Sequence, residues 1–457
     1  METFPDQQQQ PNQQPSLFDK LNAWIKNSVM VKLFSMGILI LLLLIPSGMI
    51  QSLIYERQGT HDEALSEISS KWGFAQTISG PVINIPYQTI FTDADGKRKS
   101  QITYAHFLPE QLDVNGTLET EMRHRGIYEA VVYKSDLSLK GSFNYPSFAD
   151  WNIAPDDILW KEAFLSLGLS DLRGVKQRLS VNWNGKPMEF NPGLDNQDIH
   201  ETGVSVRIPL SPELANDSLS FTFDLQFKLN GSKEMYFLPF GKETNVYLKS
   251  LWSNPSFDGA FLPDTHHISA DGFNASWKIF HLNRNYAQKF RGPSQYITES
   301  SFGVKFLIPV DNYQKTNRSA KYAILLITLS FTVFFFIEVL NKQLIHPFQY
   351  ILVGVALCLF YTLLLSISEY ISFNAAYIVS AIAIIGMVAL YAKTIFKNVK
   401  LTLIFTSILV VLYAFVFSII QLQDFALLIG SIGLFVVLAL VMYLSRKINW
   451  YGTEKRQ

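Results

Sequence analysis

Leu33-Phe-Ser-Met-Gly-Ile-Leu-Ile-Leu-Leu-Leu-Leu-Ile-Pro-Ser-Gly-Met-Ile-Gln-Ser-Leu-Ile54 contains no charged residue. At about 1.5 Å rise per residue, a helix of that length crosses a hydrocarbon core of about 30 Å. Lys26 and Lys32 precede it, as in a secretory leader. The run is too long for a leader's apolar core, however. Pro46-Ser47-Gly48 is followed by more apolar residues and not by a small-x-small cleavage site. It reads as a membrane anchor.

Five further apolar stretches crowd the C-terminal third, at 323–340, 350–367, 375–392, 401–420 and 425–444. Glu338 is the one charge inside them. Soluble helices rarely stay apolar on all faces for so long, so six transmembrane helices are expected. Orientation follows from Lys and Arg near the helix ends. Lys20, Lys26, Lys32, Lys342, Lys393, Lys397, Lys400, Arg446, Lys447, Lys455 and Arg456 all fall on one side if the helices alternate. The opposite short loops, 368–374 and 421–424, carry none. Both termini are therefore expected in the cytoplasm and residues 55–320 outside.

The 457 residues balance 38 basic against 38 acidic side chains, and this zero is composite. Residues 55–320 hold 26 basic and 31 acidic side chains, a net of −5, and the remainder is +5. Neither half suggests nucleic acid as a partner. The single cysteine, Cys358, lies inside an apolar run and excludes a disulfide framework.

Between the apolar segments the periodicity changes. Residues 1–15, rich in Gln and Pro, cannot bury a core. Ser16-Leu-Phe-Asp19 with Phe18, Leu21, Ile25 and Val29 reads either as a short helix on the inner leaflet or as an extension of the first span. Ala64, Leu65, Ile68 and Trp72 are helically spaced up to Gly73. Beyond that the period is two. In Phe221-Thr-Phe-Asp-Leu-Gln-Phe-Lys-Leu229, apolar and polar residues alternate as in a half-buried strand. Asp95-Gly96, Asn115-Gly116, Asn184-Gly185 and Asn230-Gly231 read as hairpin turns. Further strands are expected at 82–90, 101–108, 127–134, 137–143, 204–210, 245–250, 273–280 and 302–310. Gly-x-x-φ-x-Ile-Pro recurs at Gly80, Gly203 and Gly303, and reads as three strands of similar ending.

The expected fold class is membrane α plus β. An N-terminal tail and juxtamembrane helix (1–32) lead into transmembrane helix 1 (33–54). A large, mostly antiparallel, sandwich-like β domain of one lobe or two (55–320) follows. Helices 2–6 (321–445) form a five-helix bundle, and a short tail (446–457) closes the chain.

The chemistry is sparse. No Gly-x-Ser-x-Gly, His-Glu-x-x-His or phosphate-binding glycine loop occurs, so no catalytic residue, metal ligand or cofactor is expected. His266-His267 beside Asp264 reads as a polar loop. The segment 252–263, with Trp252, Pro255 and Phe257, is either an aromatic platform or, more naturally, a structural corner. Glu338 is a candidate because it is an acid within a span, although an i,i+4 pair with Lys342 at the interface also explains it. Glu369 stands at an exterior loop end. Gly430 and Gly433 look like close-packing positions.

Several short motifs in order resemble the CreD family of inner-membrane proteins linked to cell-envelope integrity. They are Lys321-Tyr-Ala-Ile-Leu-Leu-Ile327, His346-Pro-Phe-Gln-Tyr350 through Leu352-Val-Gly354, Phe360-Tyr361 with Leu363-Leu-Leu365, Ser368-Glu369, Asn449-Trp-Tyr451, and the exterior Asn254-Pro-Ser-Phe257 with Phe261-Leu-Pro263. The likeness spans nearly the whole chain apart from its Gln-rich start. It implies an anchor, a periplasmic domain and a helix cluster in a bacterial inner membrane. It also implies a connection to envelope stress through a two-component regulator. It carries no catalytic residues. It adds His346 to the candidates.

The expectation is thus a non-enzymatic membrane protein that maintains or senses the envelope, contacting the lipid bilayer and an unknown periplasmic or envelope protein. The alternative is a transporter or lipid-handling protein using the six helices. Oligomeric state is open.

Overall fold

The computed structural model describes residues 29–448 except 93–95, 97, 213–219, 294–295, 309–311, 342, 344 and 423–424. The Gln-rich start, the juxtamembrane helix, Asp95, Lys342 and Asn449-Trp-Tyr451 lie outside the described residues. The chain divides into two units: Thr60–Pro309, and Met1–Gly59 with Val310–Gln457.

In the first unit the strands, in chain order, are β1 (Gln76–Thr92), β2 (Arg98–Phe107), β3 (Gln111–Arg125), β4 (Tyr128–Asn144), β5 (Phe164–Leu169) and β6 (Ser180–Trp183). Next come β7 (Lys186–Glu189), β8 (Asn191–Pro192), β9 (Gly203–Arg207), β10 (Ser220–Ser232), β11 (Glu234–Phe237) and β12 (Glu243–Ser250). The last are β13 (Pro255–Gly259), β14 (Thr265–Ser269), β15 (Gly272–Phe280), β16 (Lys289–Arg291) and β17 (Phe302–Phe306). They build two sheets. One runs β13-β17-β11-β1-β5-β9-β8, with β2 on the far half of β1 and β16 on β2. The other runs β14-β15-β12-β3-β4-β10-β6-β7. Pairing is antiparallel except β1 with β11 and β3 with β12. In β10 the alternation does what its sequence requires: Phe221, Phe223, Leu225, Phe227 and Leu229 are buried while Thr222, Gln226 and Lys228 are exposed. Both sheets feed one continuous core, so the β region is a single sandwich.

Some local expectations are corrected. Asn184-Gly185 does turn the β6–β7 hairpin, with φ of +49° and +79° as a type I′ turn needs. Asn115-Gly116 instead lies within β3, where a Cβ at Gly116 would come within 2.7 Å of Leu248 and 2.9 Å of Leu137. That glycine serves close packing between neighbouring strands. Asn230-Gly231 lies within β10, and the chain changes sheets three residues later at Lys233, whose φ is +65°. Residues 127–134 and 137–143 are one strand, β4, paired along its length with β3 and β10. The three Gly-x-x-φ-x-Ile-Pro strands occupy alternate places, β17, β1 and β9, in one sheet. Pro86 does not end β1. The β5 ladder stops opposite Asn84, and beyond it that edge of β1 carries only an isolated bridge from Tyr87 to Ile158 and the Leu159 amide donating to the Pro86 carbonyl, so a proline without an N–H is tolerated there.

Helix α1 (Val29–Trp72) merges the anchor and the helix expected after it, with Pro46 inside. It is followed, after the sandwich, by α2 (Asn312–Lys321), α3 (Ala323–Leu340), α4 (Pro347–Ser368), α5 (Phe373–Phe396), α6 (Val399–Gln421) and α7 (Ala426–Ser445). The stretch 312–320, counted above with the exterior segment, thus belongs to a helix of the second unit. Among the described residues, six helices are long and apolar enough to cross a membrane. Aromatic rings fill the space between α3 and α6: Phe334 packs on Tyr350, Phe396 and Phe405, and Phe360 on Tyr377 and Tyr413. Helix α7 has no buried residue, as suits a helix whose solvent is lipid.

Candidate functional site

Each unit buries a polar cluster that holds several of its elements together. In the helical unit it is built on Glu338, whose side chain is 4% exposed. A carboxylate so placed needs both an opposite charge and a donor. Lys32 of α1 supplies the charge at 2.7 Å, and the Tyr350 hydroxyl of α4 donates to the second oxygen at 2.7 Å. The partners found for Glu338 among the described residues are therefore on two other helices, and Lys342, four residues along its own, lies outside the described residues. Three helices are pinned at one point.

The other candidates do not join it. His346 caps α4: its Nδ1 accepts from the Phe348 amide and its own amide donates to Gln349. Glu369 lies at the far end of α4, about 30 Å from Tyr350 by helical rise. There it accepts from the Tyr313 hydroxyl at 3.1 Å, while Asn312 donates to the Ser368 carbonyl. Trp252, Pro255 and Phe257 gather at one edge of the first sheet. Pro255 opens β13 opposite Phe306, the Trp252 indole donates to the Asn254 carbonyl, and Phe257 packs edge-on against Phe273 and Trp277. That is a corner. Two strands away Tyr236 donates to Asp258, and Lys305 pairs with Asp258 at 2.5 Å. Hydrogen bonds from Lys305 and Tyr236 hold the Asp258 carboxyl down at about 2.

Sequence reasoning missed the sandwich's polar cluster. Asn84, His106 and Ser166 sit on adjacent strands β1, β2 and β5. The Asn84 carboxamide oxygen faces His106 Nδ1 at 2.8 Å, and its nitrogen donates to the Ser166 hydroxyl at 2.8 Å. The segment after β8 supplies the rest: Asp198 meets His106 Nε2 at 3.1 Å, and His200 Nδ1 meets the Ser79 hydroxyl at 2.8 Å. Burial, then the neighbouring His106, pushes His200 down to about 3. Its Nε2 has no partner among the described residues. The cluster is close-packed, since a Cβ at Gly168 would collide with both Ser79 and His200. It fastens a connecting segment to the sheet. The only sequence signal was polar residues inside apolar strands, as in Ile83-Asn84-Ile85 and Leu165-Ser166-Leu167. Period-two reading sends these to solvent, whereas here both sheet faces are covered.

The second sheet has an open outer face. A groove of about 750 Å³ crosses β4, β3, β12 and β15 and is lined by Asp113, Asn115, Lys140, Asn245, Tyr247 and Lys278, with Phe280 at its side. The strand registers explain the order. Lys278, Asn245, Asp113 and Lys140 form one row, and Ser276, Tyr247 and Asn115 the next. Asn245 donates to Asp113 at 2.8 Å, and Lys140 and Lys278 pair with Asp224 and Glu243 at its flanks. Tyr247 and Phe280 remain 43% and 44% exposed.

The family model described as Inner membrane protein CreD matches residues 28–451. The curated Inner membrane protein CreD of Escherichia coli (strain K12) is 34% identical over 433 residues, covering 94% of this chain and 95% of that protein. Membrane-spanning helices, the buried ion pair that joins them and the intervening sandwich all fall within the matched region. The chain belongs to the CreD family of inner membrane proteins.

Proposed function

We propose that this multi-pass protein maintains or senses the integrity of the cell envelope, with residues 55–320 in the periplasm and both termini in the cytoplasm. The β sandwich engages an envelope component, and the helices hold it at the membrane. The observation that carries this reading is the groove on the outer face of the second sheet. It combines exposed rings with amides and charges of both signs, the mixture that suits a polar partner presented by the envelope. Orientation is supported by the basic residues gathered at alternate helix ends. No catalytic motif argues for an enzyme, and the role is one of binding.

The test is a photo-crosslinking residue at Tyr247 in the full-length protein in cells. The expected result is a covalent adduct with an envelope component that is lost when Lys140→Glu and Lys278→Glu are combined. Absence of any adduct, or an adduct indifferent to that double change, would sink the proposal.

A further inference from the structure

In the helical unit an apolar groove of about 300 Å³ opens between α3, α6 and α7. Thr332, Phe336, Leu340, Ile404, Leu412 and Val441 are among its lining residues. On α3 it extends from Leu329 to Leu340, about 16 Å at the rise of a helix, or roughly half of a ~30 Å hydrocarbon core. That is the depth of one leaflet. The groove ends where Leu340 finishes α3, Leu401 begins α6 and Leu444 nears the end of α7. Lys400, Arg446 and Lys447 are exposed within two or three residues of those positions. Among the described residues none of the three forms an ion pair with a carboxylate, while nearby Glu338 is taken by Lys32. Lys447 lies 5.8 Å from the Tyr443 ring, an aromatic and cationic pairing of the kind found at a membrane–water interface.

We infer that this groove is a binding site for an anionic phospholipid, with an acyl chain between α3, α6 and α7 and the phosphate among Lys400, Arg446 and Lys447. An apolar slot one leaflet deep fits a lipid tail, and the cations at its mouth, which no described carboxylate pairs with, select a headgroup with net negative charge. A free phosphate would leave the slot empty. The inference does not depend on what the sandwich engages.

Native mass spectrometry of the full-length protein, exchanged into an equimolar mixture of phosphatidylglycerol and phosphatidylethanolamine, tests it. Phosphatidylglycerol should be retained over phosphatidylethanolamine by about tenfold, and the combined Lys400→Gln, Arg446→Gln and Lys447→Gln changes should bring the ratio to about one. Ile404→Trp, which fills the slot and leaves the cations in place, should lower the number of retained lipids. Equal retention of both lipids by the unaltered protein would overturn the inference. So would a preference surviving both sets of changes, or a second copy of the chain in place of lipid.

Discussion

The two buried polar clusters pose one problem in different solvents. In the sandwich, hydrogen bonds join Asn84 to His106 and Ser166 and join Ser79 to His200, the partly exposed Asp198 meets His106 at the edge, and His200 is kept neutral by burial. In the helical unit, Glu338 is joined to Lys32 by charge. A sheet core can satisfy most of its polar atoms with uncharged neighbours on adjacent strands, leaving the one carboxylate at its partly exposed edge. A helix has its own backbone bonds closed, so a buried carboxylate there depends on side chains from other helices. The sandwich should therefore feel acid, and the helices should feel the loss of one partner.

The largest effect is expected where packing alone matters. Phe227, 1% exposed in the sandwich core, should cost about 3–5 kcal/mol of unfolding free energy when changed to Ala. Denaturant melts of the full chain, read from β-sheet dichroism, check this. Next comes the ion pair. Glu338→Gln leaves Lys32 without its counter-charge and should cost about 2–4 kcal/mol, tempered by the partial exposure of Lys32. Replacing both, as Lys32→Met with Glu338→Leu, should recover most of that. A double variant as unstable as the single one would show that the pair is not the unit.

The pH response is smaller and has a definite sign. The unfolded chain protonates His200 near its ordinary value of 6.5, whereas the native site resists until about 3. Below pH 6.5 the unfolded state binds the extra proton, so stability falls as pH drops through that window. At pH 5 the loss is ~2 kcal/mol relative to pH 7. His200→Gln should flatten that slope, and an unchanged slope would place the sensitivity elsewhere. The smallest effect is expected on α7. Leu428 is 57% exposed, so Leu428→Ala should change stability within about 0.5 kcal/mol. A cost like that of Phe227 would mean that α7 packs against something other than lipid.

Legibility differed between the two regions for the same physical reason. Spans such as 401–420 are plain in the sequence because the bilayer acts on every face of a helix at once. Strands such as β10 were plain because one face meets water. Where both faces are covered, as in β1 and β5, alternation loses its meaning, and Asn84, His106 and Ser166 passed unnoticed. Glycine was ambiguous too. Gly185 turns a hairpin, while Gly116 makes room for Leu248 and Leu137, and the dipeptide is the same. Glu338 stood out as an acid in a span, but Lys32, its cationic partner among the described residues, is about 300 residues away in the chain, beyond any local pattern.

The proposed topology puts the sandwich in the periplasm and the basic helix ends in the cytoplasm. Cys358 is buried, so a chain carrying Tyr247→Cys or Lys397→Cys presents a single reactive thiol. With a membrane-impermeant maleimide on spheroplasts, Tyr247→Cys should label in intact cells and Lys397→Cys only after lysis. Labelling of Lys397→Cys in intact spheroplasts, with Tyr247→Cys protected, would contradict the account.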